Sequence, residues 1–476
     1  MNSLESRSEL VRVRKEVDPR YELAAVLSKL EERDQAGLFE KVRGSSIPVV
    51  GELYQNARRL ALGLGLPDKK DYDELEIWRE VQHAIDHPTR YREVKDSPVK
   101  EVIRTGEDVS MHELPVPTIY EEDAGPFISA AADIVRNEET GVLNFGVHRI
   151  EVKGKDKITV ASGIGHDLWK VYERARKTGK TIDIAIAIGV DPASLFAAVS
   201  PAPSDVSELE VAGTLRGKPL EVVRCETVDL VAPANAEIII EGKIDTANWV
   251  PEGPLGEWDG VYGANPGMPL TKVTAICRRS DAIFEMDLVG MSKEHLMLCH
   301  ALLSQALRLE LLHELRSRFP HIGIKDVNIL WSGCTWHMIM AVRKQNDGDP
   351  KKIIDAAFNH VARSGFVRAQ LSWFVKRITV VDEDVDIFNL QDVEWALASR
   401  VPDESRIAVT PNVSTWSNEV VVRPRSPLGP HIHNGEARDL KSCRISIDAT
   451  TPLEKLEELK RPKIPGIESI KLADYL

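Results

Sequence analysis

The chain has 476 residues, of which 43% are hydrophobic and 28% are charged, as in an ordinary globular protein. This length exceeds what one hydrophobic core usually supports, so we expect two or three domains. The formal net charge of -13 at pH 7 argues against nonspecific nucleic-acid binding, which depends on lysine and arginine side chains that contact phosphate.

The cysteines are far apart and show no Cys-x-x-Cys spacing. They are Cys225, Cys277, Cys299, Cys334 and Cys443. A disulfide framework or a zinc ribbon is therefore not expected. The charged N-terminus lacks the apolar core of a signal peptide, and no long apolar run occurs, so we predict no membrane insertion. These features favour a cytoplasmic protein with reduced thiols.

Residues 1–110 predict a small α/β module. Apolar residues recur at helical spacing from Tyr21 to Glu32, Ile47–Val50 is typical of a buried strand, and a second helical pattern runs from Tyr54 to Leu64. The prolines of residues 113–118 favour an extended chain. We therefore expect a domain boundary near residue 110.

Residues 111–292 alternate short β-rich segments with turns, which predicts a mixed sheet or a partly closed barrel with a few helices. The β-rich segments are 141–152, 157–162, 182–188, 220–230, 237–240 and 270–277. Between them, Asp191 and Pro192 predict the start of a short helix over 191–199. The positive end of such a helix favours anions.

The strongest helical pattern of the chain runs from Glu294 to Phe319, with regularly spaced leucines and no glycine or proline. It predicts a helix over 293–319 that connects two domains. Residues 320–476 are expected to form a second α/β unit. Its predicted strands are 327–331, 338–342 and 376–381, and its predicted helix is 350–364.

Several common catalytic signatures are missing from the sequence. The segment Gly163-Ile-Gly165 lacks the third glycine of a dinucleotide-binding loop, and no Gly-Lys-Ser/Thr phosphate loop occurs. The zinc-binding pattern His-Glu-x-x-His and the nucleophile pattern Gly-x-Ser-x-Gly are also absent. The sequence therefore gives no support to a Rossmann dehydrogenase, a P-loop NTPase or the common hydrolases.

The segment Pro251–Gly260 is the most informative one, because glycines and prolines hold Glu252 and Glu257 five residues apart. These residue types restrict the backbone, so both carboxylates should project from one ordered loop. Such spacing suits a site where one carboxylate transfers a proton and another holds a cation. A plain surface turn is the alternative. Leu255 and Trp258 would shield Glu257 from water, and Trp258 would equally suit a hydrophobic core.

A short predicted strand carries an arginine among apolar residues. Alternation along this strand places Asn144 and His148 on one face. The other face carries Phe145, Val147 and Arg149. A buried arginine is costly unless a carboxylate meets it. The less specific alternative is an arginine that pairs with a structural acid.

Three motifs follow one another in this region. They are Asn-x-x-x-x-Arg from Asn144, Pro-x-Pro-x-x-x-Ser-Glu ending at Glu208, and Pro-Glu-Gly-Pro-x-Gly-Glu ending at Glu257. This ordered set closely resembles the UbiD-type decarboxylases. The resemblance continues through Gly189–Pro192, Leu220–Cys225, Val231–Gly242 and Val380–Asp386, and so covers most of the chain. It implies a non-oxidative, reversible decarboxylase of an aromatic, heteroaromatic or α,β-unsaturated carboxylic acid.

Together with the predicted elements, the resemblance implies an α/β (α+β) fold with four parts. They are an N-terminal α/β module (1–110), a split-barrel-like prenylated-FMN-binding domain (111–292), a connecting helix (293–319) and a C-terminal α/β oligomerisation domain (320–476). The active site would lie between the two larger domains. The implied assembly is a homodimer or a higher homo-oligomer, and the implied supplier of the cofactor is a flavin prenyltransferase.

The UbiD family binds prenylated FMN through Mn²⁺ or Mg²⁺ and, in many members, K⁺. By this resemblance Asn144 and Glu208 are metal ligands, as hard oxygen donors suited to these ions. The implied phosphate and cation site comprises Ala197, Ala198, Ser200 and Pro201. The other implied cofactor contacts are Phe145, Val147, His148 and Arg149.

The sequence departs from the family pattern at two positions. Ala161 stands where the family has a metal-binding histidine, which leaves His166 as the nearby substitute. Gln370 stands where some members have a lysine that contacts phosphate. Elsewhere, the spacing of His431 and His433 would suit a metal or a substrate anion, or an exposed proline-rich loop.

The resemblance assigns catalysis to Arg149, Glu252 and Glu257. Arg149 would orient the substrate carboxylate through its planar guanidinium, and Glu252 would steer Arg149. Glu257 would protonate the carbon after CO₂ leaves, with Asp259 as the rival acid. A non-catalytic flavin-binding or assembly subunit and an ordinary FMN oxidoreductase are the alternatives. The complete trio favours an enzyme, since a carrier needs no proton donor, and no nicotinamide signature occurs.

Overall fold

The computed structural model describes residues 1–163, 166–331, 335–361, 375–415, 419–422, 440–462 and 464–465. Within these residues the strands form sheets of four, nine, three and five strands. Helices pack against the sheets, which confirms the predicted mixed α/β (α+β) fold. No helix in this part of the chain is long and apolar enough to cross a membrane.

The N-terminal module is built on the four-stranded sheet. The strands are Leu10–Val13, Ala36–Phe39, Val49–Gly51 and Phe284–Met286. The helices are Asn2–Glu5, Glu22–Glu31, Ala57–Gly63 and Glu74–Asp86. The two predicted helices and the predicted strand are therefore confirmed. Because Phe284–Met286 runs parallel to Val49–Gly51, backbone hydrogen bonds join this module to the central segment.

The central segment forms the nine-stranded sheet. Its strands, in spatial order, are Phe127–Ile128, Ile150–Gly154, Lys157–Val160, Tyr262–Arg278, Ile238–Gly256, Ile182–Ile188, Ala131–Arg136 and Leu143–Val147, with Val102–Thr105 beside Tyr262–Arg278. The three-stranded sheet contains Arg92–Glu93, Glu221–Arg224 and Val231–Pro233. Every predicted β-rich segment thus contains a strand. Two of these strands, Arg92–Glu93 and Val102–Thr105, precede residue 110 but pair with strands of the central segment.

Helices cover both faces of the nine-stranded sheet. The isoleucines of strand Ile182–Ile188 share a hydrophobic core with helix Asp167–Thr178. The alanines of the same strand belong to a second core, which includes helices Pro192–Val199 and Glu208–Leu215. A strand that is buried on both faces explains why apolar residues follow one another without interruption from Ile184 to Ile188.

The two longest strands, Ile238–Gly256 and Tyr262–Arg278, form an antiparallel hairpin. The sequence predicted only short strands here and one ordered loop over Pro251–Gly260, and that loop prediction is wrong for most of the segment, because the strand continues to Gly256. Register shifts on both sides of Glu252 accommodate the prolines and glycine without ending the strand. The true turn is confined to residues 257–261.

The predicted connecting helix is present in three consecutive pieces. They are α-helix Lys293–Cys299, π-helix His300–Ser304 and α-helix Gln305–Arg318. From the first two pieces, Leu298, Ala301 and Leu302 belong to a core of the central segment. From the last piece, Leu307, Leu311, Leu312 and Leu315 belong to the C-terminal core.

The C-terminal unit is a five-stranded mixed sheet with helices. The strands, in spatial order, are Gly323–Ile329, His337–Arg343, Arg377–Asp382, Lys441–Ala449 and Ile407–Ser414. The helices are Asp349–Val361 and Leu390–Arg400. Short 3₁₀ helices elsewhere are Pro98–Lys100, Gly106–Asp108, Met111–Glu113, Glu404–Arg406, Val420–Val422 and Leu453–Lys455. The predicted strands and helix of this unit are confirmed within the described residues.

Candidate active site

Arg149 lies between two carboxylates. Its Nε donates a hydrogen bond to Glu252 Oε1 over 2.8 Å, and its Nη2 donates to Glu252 Oε2 over 2.7 Å. This is a bidentate pair, which fixes the plane of the guanidinium. The Nη1 of the same arginine donates to Glu257 Oε1. The fold therefore brings the three residues predicted as catalytic into direct contact.

The local elements explain this meeting. Arg149 lies where the chain leaves strand Leu143–Val147 and turns into the next strand. Glu252 is on the first long strand of the hairpin, opposite Asn265 on the second, and Glu257 is the first residue beyond that strand. One hairpin thus presents both acids to one arginine.

Glu252 is held more firmly than Glu257. Asn265 Nδ2 donates to Glu252 Oε2 over 2.6 Å, and Arg149 also donates to the carbonyl of Gly263 over 3.3 Å. The side chain of Glu252 is 0% exposed, that of Arg149 is 12% exposed and that of Glu257 is 21% exposed. Arg149 and Glu252 therefore form a fixed pair, and Glu257 is the most accessible member.

The charges of the trio do not cancel. Burial opposes the positive charge of Arg149, but the charges of Glu252, Glu257 and Glu151 and the hydrogen bond with Glu252 outweigh burial and raise the pKa of Arg149. Arg149 is a permanent cation, so with Glu252 and Glu257 both ionised the trio carries one net negative charge. An anionic substrate would enter more favourably when one acid holds a proton.

The predicted alternation of faces before Arg149 is confirmed. A Cβ added at Gly146 would lie 3.3 Å from the His148 ring and 4.0 Å from Asn144 Oδ1, so these residues share a face. Phe145 on the other face is fully buried in the central core. Arg149 lies beyond the end of this strand. Its contacts with Glu252 and Glu257 confirm the expectation that a buried arginine pairs with a carboxylate.

Asn144 and Glu208, the predicted oxygen ligands for a metal, lie side by side. Asn144 Nδ2 is 3.4 Å from Glu208 Oε1, and the backbone N–H of Phe145 donates to Glu208 Oε2 over 2.8 Å. Glu208 is the first residue of helix Glu208–Leu215, and Ser207 before it donates through its hydroxyl to the carbonyl of Leu143. Burial raises the pKa of Glu208 to about 8. The carboxylate therefore gains from a bound cation, which fits a metal site.

His166 lies near His148, which shares a face with Asn144. Its ring centroid is 6.1 Å from that of His148, and the Nδ1 of His148 is 2.7 Å from Asp133 Oδ1. Burial and the charges of His148 and Lys170 lower the pKa of His166 to about 3. A neutral imidazole is the form that binds a metal. This fits the prediction that His166 takes the role of the family histidine, whose position Ala161 occupies in this chain.

The predicted phosphate and cation site lies at the C-terminal end of helix Pro192–Val199. Ser200 donates through its backbone N–H and its hydroxyl to the carbonyl of Ala197. Ala197 and Ala198 belong to the same core as Phe145. The N-terminal end of this helix, which was expected to favour anions, is capped by Asp191, and Asp191 also pairs with Arg216.

His295 is a titratable neighbour of the trio that the sequence pattern did not reveal. Burial disfavours its cationic form, but a hydrogen bond with Cys299 and the charges of Asp287, Cys299 and Glu257 raise the pKa of His295 to about 9. The Nδ1 of His295 lies 3.8 Å from Asp287 Oδ2 and accepts from the N–H of Gly290 over 3.1 Å. The local sequence signals only the start of the helix that carries His295, through its N-cap Ser292, three residues before His295.

The predictions for Gln370, His431 and His433 fall outside the described residues.

Models of three domain families match consecutive parts of the chain. Each is described as a domain of 3-octaprenyl-4-hydroxybenzoate carboxy-lyase. The N-terminal domain model matches residues 1–76, the Rift-related domain model matches 92–292, and the C-terminal domain model matches 300–428.

Solved structures resemble the chain over nearly its whole length. The UbiD-class enzyme HmfF from Pelotomaculum thermopropionicum, solved in complex with FMN, is 34% identical, with 100% of this chain and 98% of that chain covered and a TM-score of 0.83. An evolved dimeric form of HmfF, solved with prFMN, has the same identity and coverage and a TM-score of 0.79. An apo 3,4-dihydroxybenzoic acid decarboxylase from Enterobacter cloacae is 25% identical, with 100% and 97% covered and a TM-score of 0.81.

Proposed function

This chain belongs to the UbiD family of carboxy-lyases, and from that membership we propose how its residues carry out decarboxylation. The reaction is the non-oxidative, reversible release of CO₂ from an aromatic, heteroaromatic or α,β-unsaturated carboxylic acid. The observation that carries the proposal is the placement of Arg149 between Glu252 and Glu257. The comparisons support this enzyme rather than a non-catalytic subunit or an ordinary FMN oxidoreductase.

The cofactor of the proposal is prenylated FMN, since HmfF was solved with FMN and with prFMN. Asn144, Glu208 and His166 would hold Mn²⁺ or Mg²⁺ at its phosphate, because they offer two hard oxygens and a neutral nitrogen. The carbonyls at the end of helix Pro192–Val199, around Ala197, would favour K⁺, as the negative end of a helix attracts cations. When bound, the prenylated flavin supplies the electron sink for the departing CO₂.

The substrate carboxylate and Glu257 compete for one edge of Arg149. Glu252 occupies Nε and Nη2, whereas Nη1 is engaged by the more exposed Glu257. A substrate carboxylate that binds Nη1 displaces Glu257, which then lies beside the substrate and no longer pairs with the arginine. Binding of substrate thus frees the acid that the later step requires.

The proton balance fits this arrangement. Decarboxylation of a carboxylate consumes one proton and releases CO₂, and the new C–H bond takes that proton from Glu257. The partial exposure of Glu257, 21% of its side chain, allows the acid to regain a proton from solvent before the next turnover. In the reverse direction Glu257 removes the proton and Arg149 orients the incoming CO₂.

The test begins with protein produced together with a flavin prenyltransferase and purified without exposure to oxygen. Absorbance and intact mass of the released small molecule identify the flavin, and a panel of aromatic and unsaturated acids is then assayed for CO₂. Prenylated FMN and CO₂ release support the proposal. Plain FMN without CO₂ release would favour an oxidoreductase, and absence of any flavin would favour a non-catalytic subunit.

Three further proposals concern organisation. We retain the division at residues 110, 292 and 319 as a proposal that limited proteolysis tests. We also propose a homodimer or higher homo-oligomer through the C-terminal unit, because Val409 on its edge strand Ile407–Ser414 is 60% exposed. Light scattering tests this proposal. A cytoplasmic location agrees with the free state of the described cysteines.

A further inference from the structure

The strand that leads to Glu257 is fixed to the central segment. Leu255 is fully buried in a small cluster with Phe127 and Val289. A Cβ at Gly256 would clash with the ring of Tyr120, so that ring packs directly on the backbone. The Gly256 N–H also donates to a carboxylate, Asp123 Oδ1, over 3.2 Å. Up to Gly256, therefore, the hairpin has little freedom.

The residue after Glu257 contacts a different part of the molecule. Trp258 is half-buried and packs against the hydrophobic core of the C-terminal unit, which helix Gln305–Arg318 and the five-stranded sheet form together. Phe319 and Trp336 pack against the same core, but neither belongs to the hairpin. The tip of the hairpin thus bridges the central segment and the C-terminal unit.

The turn between these two attachments is short and hydrogen-bonded. The Glu257 N–H donates to the carbonyl of Val261 over 2.8 Å, and the Gly260 N–H donates to the carbonyl of Glu257 over 2.9 Å. Gly260 has φ of 80°, a conformation that glycine adopts without strain. Trp258 therefore moves with the backbone of Glu257.

We propose that Trp258 is a positioning residue that ties the placement of the Glu257 carboxylate to the docking of the C-terminal unit. The inference rests on the proposed function of Glu257 as the proton donor. When the C-terminal unit is docked, Trp258 holds the turn so that the Glu257 carboxylate stays beside the edge of Arg149 where the substrate carboxylate binds. When the unit moves away, the turn loses its second attachment, and Glu257 no longer has a fixed position relative to Arg149.

The first test measures the turn itself. Hydrogen–deuterium exchange of a peptide over residues 254–262 is compared in wild type, Trp258→Ala, Trp258→Phe and Phe319→Leu. We expect exchange at the turn to be roughly tenfold faster in Trp258→Ala than in wild type. In Trp258→Phe the exchange rate should equal that of wild type. Phe319→Leu is the matched control, because it removes packing from the same core without touching the hairpin. Equal exchange in wild type and Trp258→Ala would overturn the inference.

The second test measures turnover on the cofactor-loaded enzyme. We expect Trp258→Ala to lower kcat by roughly 10- to 100-fold, as a small misplacement of a catalytic group does, with KM no higher than that of wild type and flavin content unchanged. Trp258→Phe should recover most of the rate, and Phe319→Leu should keep kcat while lowering Tm. Equal losses of kcat in Trp258→Ala and Phe319→Leu would reduce Trp258 to a packing residue. If wild type releases no CO₂, the proposed function fails, and the exchange experiment still decides the role of Trp258.

Discussion

Replacement of Glu257 by glutamine should separate catalysis from substrate binding. Glutamine keeps the shape of the side chain but has no acidic proton to give. Because general acid catalysis contributes roughly 10²- to 10⁴-fold, we expect kcat to fall by that factor or more. The flavin should remain bound, since Glu257 lies on the hairpin and the proposed metal ligands Asn144 and Glu208 do not.

The same change should tighten substrate binding. Arg149, Glu252 and Glu257 carry one net negative charge when both acids are ionised, and the glutamine variant makes this sum zero. Two charges about 5 Å apart interact by about 3 kcal/mol at an effective dielectric constant near 20. The partial exposure of Glu257 reduces this to about 1–2 kcal/mol, which corresponds to roughly tenfold lower Kd.

The assay combines CO₂ release with a binding titration that follows the flavin absorbance. Asp259→Asn is the matched control, because Asp259 is the other acid of the same turn, and its carboxylate accepts a hydrogen bond of 3.3 Å from the N–H of Val261. We expect this control to keep wild-type kcat. Near wild-type decarboxylation in Glu257→Gln would refute the assignment of the proton donor, and loss of activity in Asp259→Asn alone would move the role to Asp259.

Three further changes probe other parts of the molecule. Glu208→Gln should lower the retained flavin and bound metal severalfold, measured by absorbance and elemental analysis, and unchanged loading would contradict the metal site. Arg149→Lys should lower kcat by at least roughly 100-fold because an ammonium cannot make the bidentate contact, with a folded protein by circular dichroism. Burial raises the pKa of Glu285 from 4.5 to about 8, so its contribution to stability is present below pH 4.5 and is lost between about pH 4.5 and 8. The loss of stability is at most about 5 kcal/mol. Between pH 4.5 and 8 the Tm of Glu285→Gln should therefore fall less than the Tm of wild type. An identical fall in the two proteins would contradict a raised pKa of Glu285.

Local patterns in the sequence predicted much of the secondary structure. The helices near residues 22–31 and 293–318 follow from apolar residues at helical spacing, which depends on neighbours only. The long strand Ile238–Gly256 was missed because Pro251, Gly253 and Pro254 usually end a strand. Here the partner strand Tyr262–Arg278 continues the ladder past them with shifts in register, and such pairing is not encoded locally.

The site was predictable to the extent that motifs carry it. The order of the motifs placed Arg149, Glu252 and Glu257 together, and the structure brings them into contact. The position of His295 near Glu257 depends on how the connecting helix packs, and the contact of Trp258 depends on the C-terminal core. Neither leaves a signal in sequence spacing, because both arise from tertiary packing.

The parallel pairing of Phe284–Met286 with Val49–Gly51 has a consequence for synthesis on the ribosome. The backbone N–H of Leu288 donates to Glu52, 236 residues earlier, so the four-stranded sheet stays incomplete until well over half of the chain has emerged. Until then the nascent chain presents an unpaired, apolar strand edge at Val49–Gly51, the kind of edge that recruits other chains. We therefore expect this protein to depend on chaperones while it is being made, even though the finished fold conceals that edge.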